Sequence, residues 1–263
     1  MIEKENNMKK TKIAYLLIVL LCAGLSSFAF ADSKEITVSA AISLKNAFEE
    51  IGKLYESKTK TACVFNFGAS GDLLKQIAGG APVDIFASAA KKDMDEADSQ
   101  GLTVADTRAD FASNIVVLVI PADAKTGLNS FEGLNFAGIK KIAVGNPKSV
   151  PAGRYAEDVF NFYNILASIK DKFIYTENVR QVLDYVARAE VDAGVVYATD
   201  AAARSKEVKV VAAAPEPSHK PVVYPIAVVK GSKNEAGAKA FIDLVLSDEG
   251  RAVLQKYGFK SGK

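Results

Sequence analysis

Three times along this chain a short apolar run stops and a helical apolar stripe begins soon after, which commits the chain to alternating strands and helices. The first run, Ile36-Thr37-Val38-Ser39-Ala40-Ala41-Ile42, gives way at Ser43 to Leu44, Ala47, Phe48, Ile51, Leu54 and Tyr55, one face at helical spacing. The second, Cys63-Val64-Phe65-Asn66-Phe67, passes through Gly68-Ala69-Ser70-Gly71 into Leu73, Leu74, Ile77 and Ala78, and Gly79-Gly80 ends it. The third, Ile142-Ala143-Val144-Gly145, leads to Pro151, favoured at a helix head because its missing N–H would find no partner there. The stripe Val159, Phe162, Tyr163 and Leu166 follows. A fourth helix start is Thr176-Glu177-Asn178-Val179-Arg180, with Thr176 as the expected N-cap and the Val179 amide third in the turn. Further strands are expected at 83–88, 115–120 and 222–229, and further helices at 93–100, 235–246 and 248–257. Such alternation predicts an α/β protein with largely parallel sheets.

A helix start leaves backbone N–H groups unpaired and carries the positive end of the macrodipole, so it attracts anions. Ser43 and Ser70 add a hydroxyl donor at two of these starts, although a serine there can equally serve only as a cap. At the third, the Ala152 and Gly153 amides fall in the unpaired first turn with little side-chain bulk to block a ligand. Arg154 and Arg180 stand beside two starts and read either as a charge clamp or as partners of nearby carboxylates. Asp72 and Glu177, in first turns, are ordinary dipole partners. Tyr197 ends the apolar run Ala193-Gly194-Val195-Val196, and taken alone it reads as a core or rim tyrosine.

The N-terminus reads as a signal peptide, residues 1–31. Lys9, Lys10 and Lys12 precede an apolar core at 13–25, too short for an ordinary membrane span, and Ala29-Phe30-Ala31 is a small-x-small cleavage site before Asp32. Met8 is an alternative start. The leader holds Lys4, Lys9, Lys10 and Lys12 against Glu3 and Glu5, so removing it lowers the formal charge from +2 to zero. A nucleic-acid binder normally carries a basic excess, and that class loses its main support. Cys22 leaves with the leader. It follows Leu21, where a lipoprotein cysteine would follow a small residue, so a periplasmic protein without a lipid anchor is expected. Cys63 then stands alone and reads as a small buried hydrophobe.

Catalytic readings fare poorly. Gly68-Ala69-Ser70-Gly71 lacks the nucleophile elbow because Asn66 stands where its first glycine belongs, and the one histidine, His219, sits in a Pro-rich loop. A Ser70–His219 hydrolase and a metal centre are both disfavoured. An amino-acid carrier would ask for a carboxylate to meet an ammonium group, whereas the helix starts offer donors only.

Taken in order, several motifs resemble the periplasmic molybdate-binding proteins of ABC-type molybdate importers, over essentially everything from Asp32 onward. They are Val38-Ser39-Ala40-Ala41-Ile42-Ser43-Leu44, Phe67-Gly68-Ala69-Ser70-Gly71, Gly80-Ala81-Pro82-Val83-Asp84-Ile85-Phe86, and Gly145-Asn146-Pro147 running to Val150-Pro151-Ala152-Gly153-Arg154-Tyr155. Glu177-Asn178-Val179-Arg180, Gly194-Val195-Val196-Tyr197 and Lys256-Tyr257-Gly258-Phe259 follow. The resemblance implies a two-lobe, type II periplasmic binding protein fold with two crossover strands, near Asn114 and Tyr224, and a ligand cleft between the lobes. The lobes would be 32–113 plus 226–263, and 114–225. It implies that Ser43, Ser70, Ala152, Val179 and Tyr197 hold the oxyanion by hydrogen bonds, with no cofactor and no directly coordinated metal. Ile42 stands where the family more often has alanine and is expected to pack behind Ser43. The implied ligand is molybdate or tungstate, the implied partner a membrane permease, and the protein is expected to act as a monomer. Sulfate or another tetrahedral oxyanion is the alternative ligand.

Overall fold

The computed structural model describes residues 35–262; the signal-peptide features and Cys22 lie outside the described residues. Strands β1 (Glu35–Ala41), β2 (Ala62–Gly68), β3 (Ile85–Ala87), β4 (Ala109–Ser113), β10 (Val223–Val228) and β11 (Lys260–Ser261) form one sheet, in the order β11-β4-β10-β3-β1-β2. Strands β5 (Val116–Pro121), β6 (Ile142–Gly145), β7 (Phe173–Thr176), β8 (Ala193–Tyr197) and β9 (Val208–Ala213) form the second, in the order β7-β6-β8-β5-β9. The chain thus crosses from the six-stranded to the five-stranded sheet after Ser113 and has returned by Val223. These are the two crossovers of a two-lobe fold.

The return comes slightly earlier than the expected residue 226. Val223 and Tyr224 already pair with Ser113 and Ala112 of β4, because β10 is tied to the lobe-one sheet along its whole length. The sheets are also more mixed than the alternation predicts. β1 runs parallel to β2 and β3, and β6 parallel to β7 and β8, whereas β10 is antiparallel to β3 and β4, and β5 to β8 and β9. Strands β5 and β10 arrive from the opposite lobe rather than through a helix on the same sheet, so nothing holds them to the parallel sense.

Nine helices are described here: α1 (Lys45–Thr59), α2 (Ser70–Ala78), α3 (Lys91–Ser99), α4 (Pro151–Phe162), α5 (Leu166–Ile169), α6 (Val179–Ala187), α7 (Ala198–Ala203), α8 (Glu235–Leu246) and α9 (Asp248–Lys256). In lobe one, Ile36, Val38, Phe48, Ile51 and Phe241 are fully buried where α1 and α8 cover the sheet, with the Phe48 and Phe241 rings edge to face at 5.8 Å. In lobe two, Val144, Val159, Phe160, Val182, Leu183 and Val195 fill the corresponding layer. Most of the first two stripes read from the sequence bury, but in α4 the buried face runs through Tyr155, Ala156, Val159 and Phe160 while Phe162 is 47% exposed, because the helix ends there and turns its last residue to solvent. No helix among the described residues is long and apolar enough to cross a membrane.

Strand-to-helix spacing on the five-stranded sheet is set by close backbone approach. A Cβ on Gly153 would meet the Gly145 carbonyl oxygen at 1.9 Å, so only glycine lets the first turn of α4 settle on the end of β6.

Candidate functional site

Ser43, Ser70, Ala152, Val179 and Tyr197 line one small cavity, with Ala41, Ile42, Gly68, Ala69, Ala89, Val150 and Pro151 around them. All five lie at or just beyond the carboxyl ends of β1, β2, β6, β7 and β8, where parallel strands hand over to helices and where α/β proteins place their ligands. The first two belong to lobe one and the other three to lobe two. Three helices of nine residues or more, α2, α4 and α6, begin at this cavity, so three positive dipole ends face it. No charged side chain is among the lining residues. A groove along α7 and β9, lined by Ala122, Ala198, Ala201, Ser205, Lys209 and Val210 among others, contains none of the five.

The serines do not cap. Neither helix start carries a side-chain capping bond, and both hydroxyls are engaged elsewhere. Ser43 sits in a single 3-10 turn, Ile42–Leu44, ahead of α1, and its Oγ lies 3.1 Å from Tyr224 Oη. Ser70 is fully buried, and its Oγ accepts from the Ala89 N–H at 3.0 Å. Because that backbone group can only donate, the Ser70 proton is left free for another acceptor. Ile42 is among the cavity-lining residues and is also partly buried against the core beside Ser43.

The lobe-two donors are bare. Pro151 opens α4 as expected, which puts the Ala152 amide in the first turn without an intrahelical partner. The cap of α6 differs from the expectation: Asn178, not Thr176, is the N-cap, its Oδ1 accepting from the Gln181 N–H at 3.0 Å. Thr176 is instead the last residue of β7, paired with Gly145, and its hydroxyl donates to the Asn178 carbonyl at 3.0 Å. Val179 is therefore the first helical residue rather than the third, and its N–H still has no partner in the helix. Tyr197 is 1% exposed, and its Oη is the one buried side-chain polar atom without a hydrogen-bond partner among the described residues. Edge-on contacts with the Tyr155 and Tyr224 rings, at 6.5 and 6.0 Å, fix its direction. Burial holds the phenol's pKa well above the ordinary 10.0, so it remains a donor.

Both arginines are tied to carboxylates rather than aimed at the cavity. Arg154 Nη2 donates to Asp93 Oδ2 at 2.5 Å, from lobe two to lobe one. Burial raises the Asp93 pKa, and the Arg154 charge opposes that rise. Arg180 Nε donates to the fully buried Asp200 at 2.6 Å, and its Nη2 reaches Asn46 of lobe one at 3.0 Å. Burial likewise raises the Asp200 pKa against the pull of Arg180. A third bridge between lobes is made by backbone alone, the Gly71 N–H donating to the Ser149 carbonyl at 2.9 Å.

Cys63 is partly buried in β2, and burial pushes its thiol up to about 12, which leaves it unreactive. His219 Nδ1 lies 2.7 Å from the neighbouring Lys220 carbonyl and edge-on to Tyr155, not beside Ser70. Among the described residues no group of three or more His, Cys, Asp or Glu side chains is placed to hold a metal ion.

A two-lobe α/β protein with a donor-lined cleft between its lobes is the architecture of a solute carrier, and the chain belongs to the bacterial extracellular solute-binding proteins, whose family model matches residues 36–260. It is 40% identical to the molybdate-binding protein ModA of Haemophilus influenzae, over 95% of this chain and 99% of the relative. It is 41% identical to YvgL of Bacillus subtilis, a candidate ABC transporter substrate-binding lipoprotein, over 94% of this chain and 96% of the relative. Among solved structures, the periplasmic molybdate-binding protein of Azotobacter vinelandii superposes with a TM-score of 0.77 at 25% identity, covering 87% of this chain and 100% of that one.

Proposed function

We propose that the protein captures molybdate in the cleft and delivers it to the membrane permease of an ABC importer, acting as a monomeric carrier rather than an enzyme. One observation carries this reading: hydroxyls, a phenol and first-turn amides from both lobes converge on a cavity lined by no charged side chain. A tetrahedral dianion presents only acceptors, so a shell of donors suits it. Five charge-assisted bonds, at roughly 1.5–3 kcal/mol each, give on the order of 10 kcal/mol before ordering and desolvation are subtracted. That falls within the roughly 8–12 kcal/mol of micromolar to nanomolar binding. No lining carboxylate could meet an ammonium group, which argues against an amino-acid solute.

Tungstate, nearly the same in shape and charge, is read as a second ligand. Phosphate near neutral pH keeps a proton that would face a donor, a buried conflict of about 1–3 kcal/mol. Sulfate carries no such proton and is disfavoured only by its smaller size. Competition titrations at fixed ionic strength should rank molybdate with tungstate, then sulfate, then phosphate; sulfate binding as tightly as molybdate would make this a general oxyanion carrier.

The lobes of this reading are 35–113 with 223–262, and 116–213, joined by two crossings. Export with cleavage before Asp32 completes it. Mass spectrometry of the exported protein should find Asp32 first, whereas a chain beginning at acylated Cys22 would give it a lipid anchor.

A further inference from the structure

The Ser43 hydroxyl is wired from behind. Asn114, on the first crossing, accepts from the Ile115 N–H through Oδ1 at 2.9 Å. That backbone group can only donate, so it fixes which end of the Asn114 amide is oxygen. The other end, Nδ2, then donates to Tyr224 Oη at 3.2 Å and to Thr199 Oγ1 at 2.9 Å. Tyr224 is fully buried, and among the described residues the only other partner of its Oη is Ser43 Oγ, at 3.1 Å. If Ser43 donated to Tyr224, the phenol proton would be buried with no acceptor. The polarity therefore runs one way, from Asn114 to Tyr224 to Ser43, and leaves the Ser43 proton directed at the cavity.

Resting on the molybdate reading above, we infer that Tyr224 and Asn114 are positioning residues that hold the Ser43 hydroxyl as a donor toward the anion. With Ser70 set the same way by the Ala89 amide, each serine already accepts one hydrogen bond within the protein and keeps its own proton free for the anion. The wiring therefore favours ligands that accept from both serines, as a tetrahedral oxyanion does. Burial raises the Tyr224 phenol far above its ordinary range, so the relay keeps its proton wherever the protein is folded. Neither residue lines the cavity; the Tyr224 ring also touches Tyr197, but Tyr224→Phe keeps that ring and removes only the hydroxyl that reaches Ser43.

A double-mutant cycle on anion binding tests this. Wild-type protein is first titrated with molybdate and with sulfate; binding of sulfate alone overturns the molybdate reading, and the cycle is then read on sulfate with the same outcomes. Tyr224→Phe should weaken binding about ten-fold in the wild-type background and less than about two-fold in Ser43→Ala. Asn114→Ala, a second entry into the same relay, should show the same non-additivity. A residue that only supports the fold would weaken binding by the same factor in both backgrounds. That result, or no loss from Tyr224→Phe in the wild-type background, overturns the inference.

Discussion

The two faces of the cleft are built differently. On lobe one, Ser43 and Ser70 are each already hydrogen-bonded within the protein, to Tyr224 and to the Ala89 amide. On lobe two, the Tyr197 phenol is buried without a partner, and the Ala152 and Val179 amides stand in first turns. One face has its donors set in advance by neighbours; the other holds donors that only a ligand completes. The lesson is that the same hydrogen bond to an anion can be bound up with ligand-free stability on one side and work against it on the other. A buried polar group left unpaired costs about 1–3 kcal/mol, and at Tyr197 that cost is recovered only when an acceptor enters.

Separating the faces should have the largest effect. A methyl on Gly71 would meet the Ser149 Cα at 2.8 Å, a backbone atom that cannot swing aside, so Gly71→Ala should hold the lobes apart. If donors on both sides share the ion, molybdate affinity falls by at least roughly a hundred-fold, and scattering shows no compaction on adding it. Affinity within a few-fold of wild type would mean that one face suffices. Next come the single donors, where the faces should diverge. Ser70→Ala is expected to weaken molybdate binding about ten- to a hundred-fold and also to lower ligand-free stability by roughly 1–3 kcal/mol, because the buried Ala89 N–H loses its acceptor. Tyr197→Phe should weaken binding by a similar factor yet leave ligand-free stability unchanged or higher. Equal melting losses for both variants would erase the distinction between faces.

The smallest effect concerns pH. Folding raises the Tyr197 pKa above 10.0, so the folded state keeps its proton more firmly than the unfolded chain. Below 10.0 both states hold the proton and this group adds no pH dependence; above 10.0 the unfolded chain ionises first and stability falls as pH rises toward the folded value. Below that point the donor is intact, and molybdate affinity should not decline from neutral pH toward 10.0 through this group. A loss of affinity in that range that disappears in Tyr197→Phe would show the phenol ionising early.

Much of the architecture was legible because the parallel strands are buried apolar runs with helices directly behind them. The edges were not. β7 (Phe-Ile-Tyr-Thr) exposes Ile174 and Tyr175, β9 is half-exposed, and β4 (Ala-Asp-Phe-Ala-Ser) is a strand chiefly because β10 and β11 pair with it. Such segments draw their structure from neighbours, which a single sequence does not display. The five candidate residues were found from helix starts and motif resemblance together; helix starts alone could not exclude capping serines. Thr176 and Asn178 are both good caps two residues apart, and the choice between them was made by Thr176 pairing in β7. Asn114 and Tyr224 were read only as crossing points, and their link to Ser43 was not legible because a tyrosine in an apolar strand reads as core. The only signal was one hydroxyl in an otherwise apolar run, Val222-Val223-Tyr224-Pro225-Ile226.

The central claim is that donors from both faces close on one anion, and a crystal structure of the exported protein with molybdate tests it most directly. The account predicts the ion in the cavity among Ser43, Ser70, Ala152, Val179 and Tyr197, with an oxygen about 2.5–3.2 Å from the Tyr197 Oη and others as close to both serine hydroxyls and the two amides. An ion held by one lobe alone, or bound with the Tyr197 phenol still unpartnered, would contradict it.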